Sequence, residues 1–331
     1  MQAIRALRRA GVDVVERHEP VWEGRRDAWR AGATAAFALA RAELRLAKRV
    51  DGDFDAVLLG YPGHIDVAAA RRASAGAPLV LNPLVSLSDT LVDDRRRFRP
   101  GSLAARMLAA LDRRVLAAAD VVVADTRAHA ELFGALGARR CEVCLVGADE
   151  RVFYADNTDR EADVLFVGKL IPLHGVETIL GAARLLPDAR FRVVGSGQLD
   201  AALADRPPNV DWVPWIEYER LGYEYRRAGC ALGVFGTSAK ASRVIPNKAF
   251  HALACATPLV TADTPAAREL LTDAVNARLV APGSADALAA GIRDALGDAD
   301  LGARGLAVYR ERASEEVLAD CWRGVVERAA P

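Results

Sequence analysis

Long apolar runs, net charge and lysine are what this sequence of 331 residues has little of. No apolar run approaches the roughly 18 residues of a membrane-spanning helix, so no such helix is predicted. The 44 basic and 44 acidic side chains cancel to a net charge of zero, which gives no general attraction to nucleic acid. Only 4 of the 44 basic residues are lysines, so the position of each lysine is informative.

Cysteine is also scarce, with five residues in the chain. Cys141 and Cys144 lie three apart in a predicted strand, where they point to opposite faces and are poorly placed for a redox pair. The odd number and the scattered spacing predict reduced thiols. Reduced thiols in turn favour a cytoplasmic location.

The charge is unevenly distributed although its sum is zero. Residues 1–114 hold 20 basic and 14 acidic side chains, an excess of +6. Within 25–49, basic residues alternate with apolar ones, which fits either a docked amphipathic helix or peripheral contact with the inner face of a cell membrane. Solvated arginines on helix faces explain the same excess. The residues of this span are Arg25, Arg26, Arg30, Arg41, Arg45, Lys48 and Arg49, with Trp29, Phe37, Leu44 and Leu46.

Short β-branched runs alternate with helical stretches along most of the chain. Continuous apolar runs separated by helices are typical of parallel strands that are buried on both faces. The pattern predicts an α/β protein with two successive doubly wound domains, at 1–155 and 156–311, and a last helix at 312–331 that could pack back across the cleft. Strands are predicted at 12–17, 55–60, 78–82, 120–125, 141–146, 164–168, 191–195, 209–213, 230–235, 258–263 and 277–280, and helices at 26–49, 102–118, 175–186, 217–228, 246–256, 284–296, 298–311 and 313–329.

The beginning of the chain departs from this pattern. A doubly wound domain opens with a strand and a turn, but MQAIRALRRAG at 1–11 has the composition of a helix. We therefore expect the first domain to lack its first strand and the chain to be a shortened version of a longer one. The missing segment would hold about 15–30 residues, enough for a strand, a loop and the start of a helix.

Two strand ends in the second half carry glycine and polar residues that suit an anion. In VLFVGKLIPLHGVETIL (164–180), Gly168 ends a strand, Lys169 follows it, and His174 precedes the next helix. A cation beside free helix N–H groups is a common anion cradle, and glycines let the backbone approach a ligand closely. Each pattern alone also fits an ordinary tight turn. The second strand end, FRVVGSGQL, contributes Gly195, Ser196, Gly197 and Gln198.

The stretch VIPNKAF (244–250) begins a helix with an unusual residue. Pro246 suits the first helical position, whereas the helix dipole disfavours Lys248 in the first turn. An anion that faces both the lysine and the helix end would explain this position, and chance placement is the alternative. Trp212 and Trp215 flank another strand end. One of them would face the core, and Trp215 could flank a base or sugar.

Together, VLFVGKLIPLHGVETIL, VVGSGQL, NVDWVPW and IPNKAFHALACATPLVTADTPAAREL resemble the donor domain of GT-B glycosyltransferases of family 4. The first half resembles the acceptor domain more loosely, through GYPGHIDV, SLSDTLVDDRR and VGADERVF. The resemblance implies two Rossmann-like domains that face a cleft. It also implies sugar transfer from a nucleoside diphosphate sugar to an unknown glycan, lipid or small-molecule acceptor, with retention of configuration. Such enzymes generally need no metal ion or other cofactor, and no nucleic-acid partner is expected.

The resemblance assigns roles to particular residues. Lys169 and His174 stand where the family usually has an Arg and a Lys on the donor diphosphate, and Arg243 and His251 stand where it has two glutamates. We expect Lys169, Arg243 and Lys248 to stabilise the leaving diphosphate. Further donor-binding residues are expected at Gly168, His174, Gly195, Ser196, Gly197, Gln198, Trp215, Pro246, Asn247 and His251, and acceptor-side residues at Tyr61, His64, Asn82 and Asp89.

Two other functions fit the same residues. The absent glutamates and the missing strand favour a catalytically weak or inactive GT-B subunit that binds a nucleotide or a partner protein. An epimerase acting on a nucleotide sugar would keep the donor site, but its additional acid and base groups cannot be placed in the sequence. The products distinguish the three functions: a glycoside plus a nucleoside diphosphate, no product, or an epimer.

Overall fold

The computed structural model describes residues 2–21, 33–48, 53–74, 76–159 and 162–330. Within these ranges the chain forms two parallel sheets with helices packed against them. The first sheet has the order β1-β2-β3-β4. Its strands are β1 (Val57–Leu59), β2 (Leu79–Leu81), β3 (Val121–Ala124) and β4 (Cys141–Val143).

The second sheet has the order β10-β9-β8-β5-β6-β7. The chain starts this sheet at β5 and builds it outward in both directions, so the strand order reverses between β5 and β8. Ligands of doubly wound sheets bind at such a switch point, outside the carboxyl ends of the strands. The strands are β5 (Ala162–Val167), β6 (Phe191–Val194), β7 (Val210–Val213), β8 (Ala228–Leu232), β9 (Leu259–Ala262) and β10 (Arg278–Val280).

The helices connect the strands as parallel sheets require. Several helices are capped at their N-terminus by a side chain that accepts a hydrogen bond from the backbone N–H group three residues later. Ser102 accepts from Ala105 in this way, and Ser284 from Ala287. The helices are α1 (Gln2–Arg9), α2 (Ala33–Leu46), α3 (Val67–Ala73), α4 (Leu103–Ala118), α5 (Arg127–Ala135), α6 (Val176–Leu185), α7 (Tyr218–Arg226), α8 (Asn247–Ala254), α9 (Ala285–Gly297), α10 (Leu301–Arg312) and α11 (Glu315–Ala329), with a π-helical turn at Asp89–Asp94.

The last helix returns to the first sheet. Leu318, Trp322 and Val325 of α11 are buried against strand residues of β2 and β3. The Arg5 guanidinium of α1 donates to the Glu315 carboxylate at the start of α11 over 3.1 Å. No helix in the described ranges combines the length and the apolar character that a membrane crossing requires.

The predicted α/β fold with two doubly wound domains is confirmed. Its apolar runs form two parallel sheets, in which the inner strands β2, β3, β8 and β9 are buried on both faces. The predicted strand at 12–17 is wrong. These residues pair with no strand in the described part of the chain. Val12 and Val14 instead pack in the cluster that joins α1, α11 and the first sheet. Their alternating apolar pattern fits burial of one side of an extended segment without a sheet.

Candidate functional site

The candidate site lies where the carboxyl ends of the two sheets face each other. The Thr126 hydroxyl, just after β3, donates to the Arg243 carbonyl oxygen over 2.6 Å. The Lys240 ammonium, in the segment after β8, donates to the Thr90 hydroxyl over 2.6 Å. These contacts join the two domains beside the switch point of the second sheet. This cleft is therefore where a ligand is expected.

Glycines keep the floor of the cleft open. Gly195 has a φ angle of 133°, and a Cβ atom on it would overlap the carbonyl oxygen of Gly168. A Cβ atom on Gly168 would lie 2.6 Å from the Lys248 Nζ atom and 3.1 Å from the His174 Cε1 atom. Any side chain at Gly168 would collide with these groups. The glycines thus let β5 and β6 end close together beneath a lysine.

Lys248 is the least satisfied side chain of this cleft. It lies in the first turn of α8, it is buried, and its Nζ atom is 4.0 Å from the centre of the Phe166 ring. In the described part of the chain, Nζ has no hydrogen-bond partner. Burial lowers the pKa of this ammonium well below its ordinary value. Because an unpaired buried cation is unfavourable, this position suits an anion that the described residues do not supply.

His174 lies beside Lys248 and is uncharged at neutral pH. Its Nδ1 atom is hydrogen-bonded to the carbonyl oxygen of Lys169. Burial lowers the pKa of His174 well below 6.5, and the positive charges of Lys248, Arg95 and Lys240 lower it further. Two cations of the second domain and Arg95 of the first domain therefore act on one imidazole. An uncharged His174 cannot supply the positive charge that the resemblance expects at this position.

Carboxylates of the first domain meet this wall across the cleft. The Arg243 guanidinium binds the Asp89 carboxylate through Nη1 and Oδ1, 2.9 Å apart. Burial raises the pKa of Asp94, although the charge of Lys240 opposes this rise. The second oxygen of Asp89 is buried and, among the described residues, has no hydrogen-bond partner. Among the described residues, the cleft thus holds an ammonium without a hydrogen-bond partner on one wall and a carboxylate oxygen without one on the other.

Two protein families match the chain, and their two matches together cover most of its length. Residues 161–298 match "Glycosyl transferases group 1", and residues 1–149 match "Glycosyl transferase 4-like domain". The chain belongs to the group 1 glycosyltransferases. It is therefore an enzyme of the glycosyltransferase class, as the resemblance predicted. No curated protein sequence matches the chain.

Solved structures of GT-B glycosyltransferases have the same fold as this glycosyltransferase. Sucrose-phosphate synthase from Thermosynechococcus elongatus superposes with a TM-score of 0.75 at 17% identity, covering 99% of this chain and 91% of the other. HepE from Anabaena, solved with UDP-glucose, superposes with a TM-score of 0.68 at 19% identity, covering 88% of this chain and 82% of the other. The pneumococcal O-GlcNAc transferase GtfA, solved with UDP and GlcNAc, superposes with a TM-score of 0.61 at 14% identity, covering 88% of this chain and 60% of the other. At these identities the likeness shows the fold alone.

On the acceptor side of this glycosyltransferase, the predicted residues mostly bind other parts of the protein. The His64 Nδ1 atom is hydrogen-bonded to the Pro62 carbonyl oxygen, and its Nε2 atom is 3.4 Å from the Asp112 carboxylate. The Asn82 amide donates to the Val123 carbonyl oxygen over 3.0 Å. Tyr61 is 53% exposed. His64 and Asn82 therefore support the loops of this wall, and the Asp89 carboxylate is the acceptor-side group that reaches the cations.

Asp112, which the sequence did not single out, holds the segment that carries Asp89. Its carboxylate accepts from the Ser86 hydroxyl over 2.7 Å and from the backbone N–H groups of Leu87 and Ser88 over 2.9 Å each. Burial alone would raise the pKa of Asp112, but these hydrogen bonds and that of the imidazole lower it to about 2. The charged carboxylate therefore fixes the backbone directly before Asp89.

The His251 ring is stacked between aromatic side chains from both sides of the predicted domain boundary. It lies parallel to the Phe153 ring with centroids 3.7 Å apart, and it meets the Tyr225 ring edge-on. Burial and the charge of Lys248 lower the pKa of His251 to about 3. The imidazole is thus uncharged, and stacking fixes the plane in which it could accept a hydrogen bond from a ribose.

The other predicted donor residues lie at the rim of the cleft or form its backbone. Trp215 is 68% exposed. The Gln198 amide donates to the Arg95 carbonyl oxygen over 3.4 Å, which joins the two domains at the rim. Pro246 directly precedes α8, so the helix begins one residue later than predicted. Exposed positions in this group are Lys169, Ser196, Gly197 and Asn247.

Thr90 and Thr126 are interdomain residues to which the sequence assigned no site role. Lys240, their counterpart in the second domain, could be grouped with Lys169 and Lys248 only as a lysine near a predicted strand end, where an ammonium suits a diphosphate. Lys240 and Thr90 are 150 residues apart, and Thr126 is 117 residues from Arg243. No local spacing joins such positions. The scarcity of lysine was the one available signal, since Lys240 lies near a predicted strand end.

Proposed function

We propose that this glycosyltransferase transfers a sugar from a nucleoside diphosphate sugar to an acceptor, with retention of configuration. The observation that carries the proposal is the buried Lys248 ammonium, which has no hydrogen-bond partner in the described ranges. A diphosphate supplies the acceptor oxygens and the negative charge that this position needs.

Other groups at the same place favour a diphosphate over a smaller anion. The charges of Lys248, Arg95 and Lys240 all act on His174. The first backbone N–H groups of α8 have no partner within the helix. They give the N-terminus of this helix a partial positive charge beside Lys248. The open glycine floor lets a bulky ligand approach the strand ends. A group with two phosphates could contact several of these positions at once.

The carboxylate on the opposite wall favours a sugar. The buried second oxygen of Asp89, unpartnered among the described residues, can accept from a hydroxyl group. HepE has been solved with UDP-glucose, and GtfA with UDP and GlcNAc. These complexes support uridine diphosphate sugars as the first donors to test.

In the proposed reaction, the bond between the sugar C1 atom and the β-phosphate oxygen breaks, and a bond from C1 to the acceptor oxygen forms. The acceptor proton passes to the departing phosphate oxygen, so no carboxylate base is required. Lys248 and Arg243 would stabilise the charge that develops on the diphosphate, with Lys169 at the rim. Arg243 already binds Asp89, so the donor would compete with or share this ion pair.

We also propose that the reaction takes place in the cytoplasm, because all five cysteines carry free thiols. The acceptor-side domain would comprise 1–155 and the donor domain 156–311.

Product analysis tests the proposal. The enzyme is incubated with UDP-glucose or UDP-N-acetylglucosamine, first with water and then with a panel of acceptors. Release of UDP is measured, and NMR follows the configuration of the sugar as it forms. We expect UDP release with an α-configured first product, and loss of this activity in Lys248→Met but not in Lys48→Met, which removes an exposed lysine of the first domain. An epimer without UDP release, an inverted product, or no product would contradict the proposal.

A further inference from the structure

The outward face of α4 combines exposed apolar side chains with arginines. Leu103 is 73% exposed and Met107 is 65% exposed. They lie four residues apart, so they are neighbours on one side of the helix. Arg106, Arg113 and Arg114 are exposed at positions that continue the same stripe along α4.

The segment before α4 extends this positive charge. Residues 95–114 contain seven arginines and one acidic residue, Asp112, whose buried carboxylate is bound to 86–88. Within the described ranges, no ion pair is formed by Arg96, Arg99, Arg106, Arg113 or Arg114. We call the surface formed by Arg96, Arg99, Leu103, Arg106, Met107, Arg113 and Arg114 the α4 face.

From this juxtaposition, we propose that the α4 face binds the surface of an anionic membrane. Arginines attract anionic lipid headgroups, and two apolar side chains in the same stripe can enter the boundary between headgroups and acyl chains. A nucleic acid fits less well. It would leave Leu103 and Met107 against phosphates, and the face carries no exposed aromatic ring on which a base could stack.

The segment that leads into the α4 face lies at the opening of the cleft. It contains Asp94 and Arg95, which contact Ser238 and Gln198 of the second domain. From the buried side of α4, opposite this stripe, Asp112 contacts His64, in the loop whose Tyr61 and Ile65 are 53% and 52% exposed. A membrane bound to the α4 face would therefore meet the domain that carries the acceptor wall.

This surface differs from the one that the sequence suggested at 25–49. Arg25, Arg26, Trp29 and Arg30 of that span lie outside the described residues, as does Arg49. The side chain of Phe37 is likewise not described. The α4 face rests on exposures that the structure does describe.

Vesicle co-sedimentation of the full chain tests the proposal. Phosphatidylcholine vesicles with and without phosphatidylglycerol are compared at low and high salt. We expect binding only with phosphatidylglycerol, weakened by salt. The double variant Arg113→Gln/Arg114→Gln should weaken binding about 30-fold, since each arginine near an anionic surface contributes about a fivefold factor. Leu103→Ser/Met107→Ser should remove the binding that survives at high salt.

The matched control is Arg310→Gln/Arg312→Gln, which removes two exposed arginines from α10 and should bind as the wild type does. Thermal melts and UDP binding check that every variant is folded, and they separate failure of the membrane proposal from failure of the proposed reaction. Absence of wild-type binding at low salt would overturn the proposal. So would equal losses in the α4 and α10 variants, or binding to a duplex oligonucleotide in preference to vesicles.

Discussion

Two buried charged groups on opposite walls of the cleft, Asp112 and Lys248, differ in whether the protein supplies their hydrogen-bond partners. On the first-domain wall, Asp112 accepts three hydrogen bonds from 86–88, and both nitrogens of His64 face polar partners. On the second-domain wall, the Lys248 ammonium is equally buried, but it has no hydrogen-bond partner among the described residues. The Asp112 network is thus satisfied within the protein, although the second oxygen of Asp89 beside it is not, whereas Lys248 has no partner that the described residues supply.

The difference indicates different roles. A satisfied buried network rigidifies the backbone that it binds, so Asp112 acts as a positioning residue for Asp89. An unsatisfied cation destabilises the ligand-free protein, and an anion that binds there removes this penalty. Variants on the first wall should therefore affect stability most, and variants on the second wall should affect ligand affinity most.

The largest effect is expected for Asp112→Asn. The change replaces a buried, charged acceptor, so the free energy of unfolding in urea should fall by about 3 kcal/mol. UDP affinity of the folded fraction should change little, because the cations on the other wall stay in place. Asp188→Asn, at an exposed position in the second domain, is the control and should leave stability unchanged. A loss of affinity as large as the loss of stability would show that the walls are not independent.

Lys248→Met should have the second largest effect. UDP binding by calorimetry should weaken by about 1.5–3 kcal/mol, the range for a hydrogen bond to a charged group. The ligand-free variant should be more stable than the wild type, because a buried, unpaired ammonium is gone. Lys48→Met is the control for both measurements.

The pH dependence sharpens this prediction. In the folded protein the pKa of Lys248 lies well below the ordinary 10.5. At pH values between the folded and the ordinary pKa, the unfolded chain therefore binds more protons than the folded protein does. Wild-type stability should therefore rise with pH through this window, and this rise should be absent in Lys248→Met. Unchanged UDP affinity in that variant would remove Lys248 from the donor site.

Acidification should reduce the contribution of Asp112 to the free energy of unfolding. Its pKa is about 2 in the folded protein against an ordinary 3.8, so the stabilisation is complete above 3.8 and is lost as the pH falls through 2. The gap in unfolding free energy between wild type and Asp112→Asn should narrow by about 2 kcal/mol across this range. A gap independent of pH would mean that the charge of Asp112 contributes nothing.

A smaller effect of opposite sign is expected for Asp89→Asn. Because the variant releases Arg243 from its ion pair, UDP should bind about fivefold more tightly, near 1 kcal/mol. Asp93→Asn removes the same charge from the same turn without a direct contact to Arg243, and its effect should be smaller. Equal gains in both variants would point to general electrostatics instead of competition for Arg243.

The smallest effect is expected for Lys169→Ala. Its side chain is exposed, so the loss of UDP affinity should stay below about 1 kcal/mol and should vanish at high salt. A salt-independent loss as large as that of Lys248→Met would place both lysines in the same buried contact.

Much of the fold could be predicted from local patterns. The apolar runs within 120–125 and 258–263 became β3 and β9 because strands buried on both faces must be continuously apolar. The alternating pattern at 12–17 failed, since an extended segment needs a partner strand and none lies beside it in the described ranges. Of the site, Gly168, Gly195 and Lys248 could be singled out because each stands at a strand end or a helix start.

The sequence by itself determined which residues lie at the carboxyl ends of the strands, because strand period, glycine turns and helix starts are local properties of the chain. It also showed Lys248 to be out of place at the start of a helix. Only the tertiary structure decided the state of these groups. The pairing of Arg243 with Asp89 joins positions 154 residues apart, and the charges of Lys248, His174 and Asp112 depend on burial. Desolvation and distant hydrogen-bond partners set those energies, and neither is encoded in spacing along the chain.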